Sequence, residues 1–314
     1  MRSIKRQILD DKLYLWRART LRRPYFHHGL DSPPLAEHLR ALELELPRLG
    51  RDGRHAFTVT TLFGPIEAAI HVYAYAADAP VLIYHHSAGE VPATRTVREI
   101  FPNPRKSGLS IFVIEAPFHE TAGDFKAASS SMMTYLAMQA VAIEVTERLL
   151  RSRPIGAAPS RAVAGYGQGG FIANLHHLIY DTAYLYVPFM AGTAPAETFL
   201  ESLPTAGRAR HKPEELRRLL NFDAQWSERA HSNVFPVLGS ADVVNRFNTQ
   251  ARSYGDTAIE VWPLSHLAAA KSPSRLRAKI MRHIEEVSAA RHRVIELTPE
   301  RRSLANRRVQ QARG

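Results

Sequence analysis

The sequence predicts an α/β protein: a mainly parallel eight-stranded sheet with helices on both faces and a small helical lid. Three observations predict it. Short apolar runs alternate with stretches of helical periodicity through most of the chain, the order that builds a parallel sheet covered on both sides. A length of 314 residues with 45% hydrophobic residues supplies a full core. A glycine-rich turn, Gly165-Tyr166-Gly167-Gln168-Gly169-Gly170, stands between a strand and a helix.

Each element has a local reason. His55 to Leu62 alternates and is rich in Thr and Val. A Gly64-Pro65 turn, Ile66 to Tyr75 and Pro80 to His85 follow, and three strands with short links predict an antiparallel start to the sheet. Val97 to Phe101 ends a short helix. Leu109 to Glu115 is a compact apolar run, read as a buried strand. Met132 to Leu150 has helical periodicity, with Ser129 to Ser131 placed to cap it. Arg161 to Gly165 is a strand, Gly169 to Ile179 a helix and Ala183 to Phe189 a strand. Phe235 to Leu238 and Ala258 to Trp262 complete the sheet, and Leu276 to Val287 is an amphipathic helix. Residues 193–231 interrupt the alternation with a helical stretch, Pro213 to Leu220, and with Phe222 and Trp226. They are read as a lid inside a domain of residues 51–290.

The formal net charge of +11 belongs to the ends. Residues 1–24 carry a net +6 and residues 291–314 a net +5, so residues 25–290 are neutral. Residues 1–50 are expected to form a basic helical extension, and residues 291–314 a basic tail that frays or stays disordered. The first segment mixes Ile4, Ile8, Leu9, Leu13, Leu15 and Trp16 with its charges. Its expected role is a helix whose apolar face packs on the domain. The other reading is a contact with an anionic membrane surface or an acidic partner. No recognised nucleic-acid motif accompanies the basic ends, so nucleic acid is not an expected partner. The absence of cysteine excludes disulfides, thiol nucleophiles and thiolate metal sites. No run approaches the ~18 apolar residues of a membrane span, and the basic start lacks the apolar core of a secretory signal. A cytoplasmic location is the expectation, with peripheral membrane contact through the ends as its variant.

Two motifs compete for residues 165–170. The segment fits G-x-G-x-x-G, the dinucleotide fingerprint. That motif belongs after the first strand of its unit, with an acid at the end of the next strand. Here the next strand ends Tyr186-Val187-Pro188-Phe189, without an acid. The segment also fits the elbow G-x-S-x-G, with Gly167 where the motif has Ser. That motif requires an acid and a base in loops after later strands, in that order. Phe235-Pro236-Val237-Leu238-Gly239-Ser240-Ala241-Asp242 delivers an acid, and Val261-Trp262-Pro263-Leu264-Ser265-His266 delivers a base. Upstream, Val81 to His85 runs into His86-Ser87-Ala88-Gly89.

In this ordered set the chain resembles the α/β-hydrolase superfamily of serine esterases and peptidases, over about residues 55–290. The resemblance implies the α/β-hydrolase fold, Asp242 as triad acid, His266 as base and Gly167 at the nucleophile position. It also implies an oxyanion hole from the backbone N–H of Gln168 and one from the His86-Ser87 loop. The departure falls on the attacking residue. Glycine adopts positive φ freely, whereas another residue in such a turn costs about 1–3 kcal/mol. Loss of the serine in triad enzymes removes about 10⁶ in kcat, leaving about 10³–10⁴ over water. The expectation is a degenerate triad. The protein would then be a pseudoenzyme or atypical hydrolase, with a small ester-like or apolar ligand, or a protein partner, in the old pocket. The alternative is an active carboxylic-ester hydrolase using a His266-activated water or Ser87.

Other residues offer less. His85, His86, His119 and Glu120 lie in loops at strand ends, but no tight metal-ligand spacing joins them. No metal or cofactor is expected. Phe118, with His119, Phe222 and Trp226, is a candidate for an apolar pocket wall or for packing. His176-His177 is read as packed or exposed on its helix, and Ser265 as a neighbour of the base that does not face it.

Overall fold

The computed structural model describes residues 3–17, 23–49, 52–121, 124–201 and 208–297. Two helices come first, α1 (Ile4–Arg17) and α2 (Leu35–Arg40). Strands β1 (Gly53–Thr61), β2 (Gly64–Ala74) and β3 (Val81–His85) follow, then α3 (Arg95–Ile100) and β4 (Ser110–Glu115). Next come α4 (Asp124–Ala128), α5 (Met132–Arg151), α6 (Arg153–Gly156), β5 (Arg161–Tyr166), α7 (Gln168–Ile179) and β6 (Leu185–Phe189). The insertion holds α8 (Pro195–Glu201), α9 (Pro213–Leu220) and α10 (Asp223–Trp226). The last elements are β7 (Val237–Gly239), α11 (Phe247–Ser253), β8 (Glu260–Trp262), α12 (His266–Ala270) and α13 (Pro273–Leu297).

The eight strands form one sheet in the order β1-β2-β4-β3-β5-β6-β7-β8. β2 is antiparallel to β1 and β4, and every pairing from β4 through β3 to β8 is parallel. All residues of β3, β4 and β6 are buried, which is why these strands are continuous apolar runs. Their period-two alternation feeds two cores. Val81, Ile83, Phe112, Ile114 and Val163 face one side, which α5 and α7 cover. Leu82, Tyr84, Ile111, Val113, Ala162 and Ala164 face the other, covered by α3 and α13. Ser131 caps α5, accepting from Thr134 N–H at 3.3 Å.

Two expectations are corrected. β3 does not continue an antiparallel meander from β2. It lies between β4 and β5 and is parallel to both, because a strand apolar on both faces belongs inside the sheet. Helix α1 turns its polar face inward: Gln7 and Asp11 are buried, whereas Leu9 is 46% and Leu13 39% exposed. α13 continues to Leu297, into the segment read as a frayed helix or disorder. Residues 298–314 of that tail, and residues 202–207 of the insertion, lie outside the described residues.

The insertion packs into the core. Leu216, Leu220, Phe222 and Trp226 are buried in the cluster that holds α5. Trp226 stacks on His231 at 3.8 Å and its indole N–H donates to Thr257 Oγ1 at 2.9 Å. Trp226→Ala should therefore cost about 3–5 kcal/mol of unfolding free energy, as large aromatic deletions from a core do. Urea denaturation reads this directly, and a detached cover would give almost no change.

Candidate active site

Parallel strands deliver their following loops to one edge of the sheet. At that edge β5 turns sharply into α7 through Gly167, whose φ is +55°. The turn is held by backbone contact alone. A Cβ on Gly165 would lie 2.2 Å from Gly169 O, and one on Gly169 would lie 2.2 Å from His85 O. These two glycines are thus used in packing within the chain. Gly167 differs, because a Cβ there would meet side chains: Ser87 Oγ at 2.9 Å, His266 Nε2 at 3.4 Å and His266 Cε1 at 3.6 Å.

The acid and base come together as the sequence implied. His266 Nδ1 lies 2.7 Å from Asp242 Oδ2. The other oxygen, Oδ1, accepts from the N–H groups of Val244 at 2.8 Å and Asn245 at 2.9 Å. A carboxylate so engaged only accepts, so Nδ1 carries the hydrogen, and in the neutral ring Nε2 is left as the proton acceptor. Both residues are buried. Asn245 is fixed in turn: its Nδ2 donates to Met190 O at 2.6 Å, and its Oδ1 accepts from Thr198 Oγ1 at 2.6 Å.

A cavity of about 410 Å³ opens beside Gly167. Tyr25, Phe125, Tyr166, Phe171 and Phe199 give it an aromatic wall, and Glu90, Arg95, Lys126 and Asn245 add polar and charged groups. Ser87, Gln168 and His266 also line it. Among the described residues the hydroxyl of Ser87 and the N–H of Gln168 make no hydrogen bond. The Ser87 N–H, an expected oxyanion donor, instead donates to Glu90 Oε2 at 3.2 Å. Glu90 Oε1 accepts from Thr96 N–H at 2.6 Å. Burial pushes the Glu90 carboxyl above its ordinary range, against the pull of these two N–H donors. Among the described residues the N–H groups of Ala88 and Gly89, in the same loop, make no hydrogen bond.

His86, Phe118 and His119 do not line the cavity. The His86 ring is turned into the chain: Nε2 accepts from Ala116 N–H at 3.1 Å and Nδ1–H donates to Ser87 O at 2.8 Å. Burial pushes it down to about 4. His119 packs against His86 and Phe125, its Nδ1–H donates to Pro117 O at 3.0 Å, and burial lowers it to about 3. Phe118 packs on Phe63, at 6.5 Å between ring centres. His85 is buried against Thr146 at 2.9 Å, Glu120 is exposed, and His176 and His177 are both buried. Phe222 and Trp226 belong to the core. Among the described residues no group of three His, Asp or Glu side chains is placed to hold a metal ion, and no helix is long and apolar enough to cross a membrane.

Several lining residues carry no sequence motif: Tyr25, Arg95, Lys126, Phe199 and Asn245. Glu90 does carry one, since Ser87-Ala88-Gly89-Glu90 has the S-x-x-E spacing in which a carboxylate reaches back to an N–H three residues earlier. Ser265 gives its hydroxyl hydrogen to Asp11 Oδ1 at 2.8 Å, a contact to the far N-terminus.

His266 titrates above the ordinary histidine value. Burial works against the imidazolium, but the attraction and hydrogen bond of Asp242, with a further contribution from Asp11, outweigh it. A pKa raised by folding contributes stability fully below the unfolded value of about 6.5. That contribution is lost as pH rises through the higher folded value. Asp242→Asn should lower the His266 midpoint and flatten this part of the pH–stability profile. Histidine-resolved NMR titration and unfolding midpoints between pH 5 and 9 check both; an unchanged midpoint would show the pair to be uncoupled.

The chain matches no protein-family model and no curated protein sequence. Solved structures do match. An esterase of Pyrococcus furiosus is 12% identical with a TM-score of 0.54, covering 82% of this chain and 99% of that one. Est1E of Butyrivibrio proteoclasticus is 12% identical with a TM-score of 0.53, covering 74% and 99%. The acylaminoacyl peptidase of Pyrococcus horikoshii is 11% identical with a TM-score of 0.51, covering 77% of this chain and 42% of the peptidase, so the chain spans less than half of that protein's length. Sheet order and superposition agree, and the chain has the α/β-hydrolase fold.

Proposed function

We propose that this chain is an α/β-hydrolase-fold protein without a covalent serine route, whose cavity binds a small ester-like or apolar ligand. One observation carries the reading. The position between Ser87 Oγ and His266 Nε2 where an elbow side chain would begin belongs to a glycine. The groups that meet a carbonyl surround it: the Gln168 N–H, the Ser87 hydroxyl, the His266 imidazole and an aromatic wall. Pockets with a mostly apolar lining and a few convergent polar groups are where small ligands bind.

The unpartnered Ser87 hydroxyl and the accepting Nε2 favour a second reading, slow hydrolysis without an acyl-enzyme. His266 Nε2 takes a proton from water while its oxygen bonds to the ester carbon, and the carbonyl oxygen becomes an oxyanion at the Gln168 N–H. Collapse breaks the bond to the alkoxide, which leaves as alcohol with the proton from the imidazolium. Ester and water give acid and alcohol.

The test uses a fluorophosphonate, a short-chain nitrophenyl ester and the variants Gly167→Ser and His266→Ala. The native chain should stay unlabelled, while Gly167→Ser gains labelling at residue 167 and ester turnover. A non-hydrolysable short-chain ester analogue should raise the native Tm, as any ligand of the folded state does. Native turnover lost in His266→Ala supports the second reading instead, and labelling of the native chain at Ser87 overturns the first. Gly167→Ser should cost about 1–3 kcal/mol, since a side chain enters a positive-φ turn. Adding Ser87→Gly should recover part of that loss, because the added Cβ meets Ser87 Oγ at 2.9 Å.

A further inference from the structure

Helix α1 packs on α12, the short helix that begins at His266. Its contact is made by polar groups. Asp11 Oδ1 accepts from Ser265 Oγ at 2.8 Å and from Leu267 N–H at 3.1 Å, and Oδ2 accepts from His266 N–H at 2.9 Å. Gln7 Oε1 accepts from Ser265 N–H at 3.1 Å. The first N–H groups of a helix have no partner inside it. Here a segment more than 250 residues away in sequence supplies them. On the other side the Tyr166 hydroxyl donates to His266 O. The backbone of His266 is thus held from both ends, while Asp242 holds the ring.

We infer that Asp11 is a positioning residue for His266, so that the N-terminal helix is part of the site and not an appendage to it. This rests on His266 being the polar group that meets the ligand. Three points support it. Asp11 is fully buried, and among the described residues no Lys or Arg pairs with it. A buried carboxylate without a cation is costly, and burial does raise its pKa, opposed by Ser265, His266 and Leu267. α12 has five residues, too few to hold its own first turn in place. The charge also acts on the imidazole: two carboxylates, Asp242 from the loop after β7 and Asp11 from α1, face His266 and favour its protonated form, with Tyr166 of β5 against the ring. Glu90, Arg95 and Lys126 line the same cavity.

The test follows His266 itself in the full chain. NMR of labelled histidine reads its titration midpoint and the low-field Nδ1 proton bonded to Asp242, in the native chain, Asp11→Asn and Asp11→Ala. Both variants should shift the midpoint to lower pH and weaken or lose the low-field signal. Asp242→Asn is the positive control, and thermal unfolding shows which variants are folded. Asp11→Asn keeps one acceptor oxygen and serves if the alanine variant does not fold. Placed on Gly167→Ser, Asp11→Asn should lower kcat by up to about 100-fold with KM little changed, as displacement of a positioned group does. A folded Asp11 variant with the native midpoint and the native low-field signal overturns the inference. Inactivity of Gly167→Ser itself tells against the proposed function and leaves the NMR result standing.

Discussion

Backbone packed on backbone at the end of β5 is the constraint from which the site follows. Gly165 against Gly169, and Gly169 against His85, approach too closely for any side chain between them. That contact draws the start of α7 onto β3 and forces residue 167 to project from the sheet edge with positive φ. The loop after β3 must then pass beside the turn, which is why Ser87 and Gly167 face each other. The loops after β7 and β8 end at the same edge because those strands run parallel to β5. The pairing of Asp242 with His266 is therefore a consequence of sheet direction together with one tight turn.

Much of this was legible in the sequence, and the limits have physical reasons. Buried parallel strands such as β4 are short apolar runs, so all eight strands are visible. Pairing is not written in such runs, and β3 was misplaced beside β2 because adjacency in sequence was the only available guide. The elbow motif and the two later loop segments have fixed order and spacing, so the proximity of Gly167, Asp242 and His266 can be expected from sequence. Ser87 was found as a loop residue, but the use of its N–H by Glu90 was overlooked despite the S-x-x-E spacing. The cavity wall was largely invisible, since Tyr25, Phe125 and Phe199 come from separate segments. Helix α1 inverts the usual rule. Gln7 and Asp11 face inward because their partners lie at Ser265–Leu267, and nothing local announces such a contact.

Electrostatics joins these parts. Asp11, Glu90 and Asp242 are buried carboxyl groups at the cavity edge of the sheet, with His266 between two of them. Each is satisfied by backbone N–H groups or by the imidazole. Such donors are fixed by the fold and need no reorganisation when the charge changes. The arrangement favours a positive charge on His266 and leaves its Nε2 as the polar atom directed toward Gly167.

The two functional readings then differ in what oxygen can be held beside Nε2. A well-fixed water needs two to four polar partners. The groups nearest the turn include His266 Nε2 and Ser87 Oγ, with Gln168 beside them in the cavity lining. A water held by such groups has no covalent tether to the chain, and catalysis by proximity falls steeply with lost orientation. A ligand carbonyl, on the proposed reading, would gain more in the same place, with the aromatic wall against the body of the molecule and the Gln168 N–H open to its oxygen. On the function proposed above, these contacts serve binding before turnover. Residue 167 sets the difference between the two readings: an oxygen fixed covalently there would be oriented by the chain itself, as a free water is not.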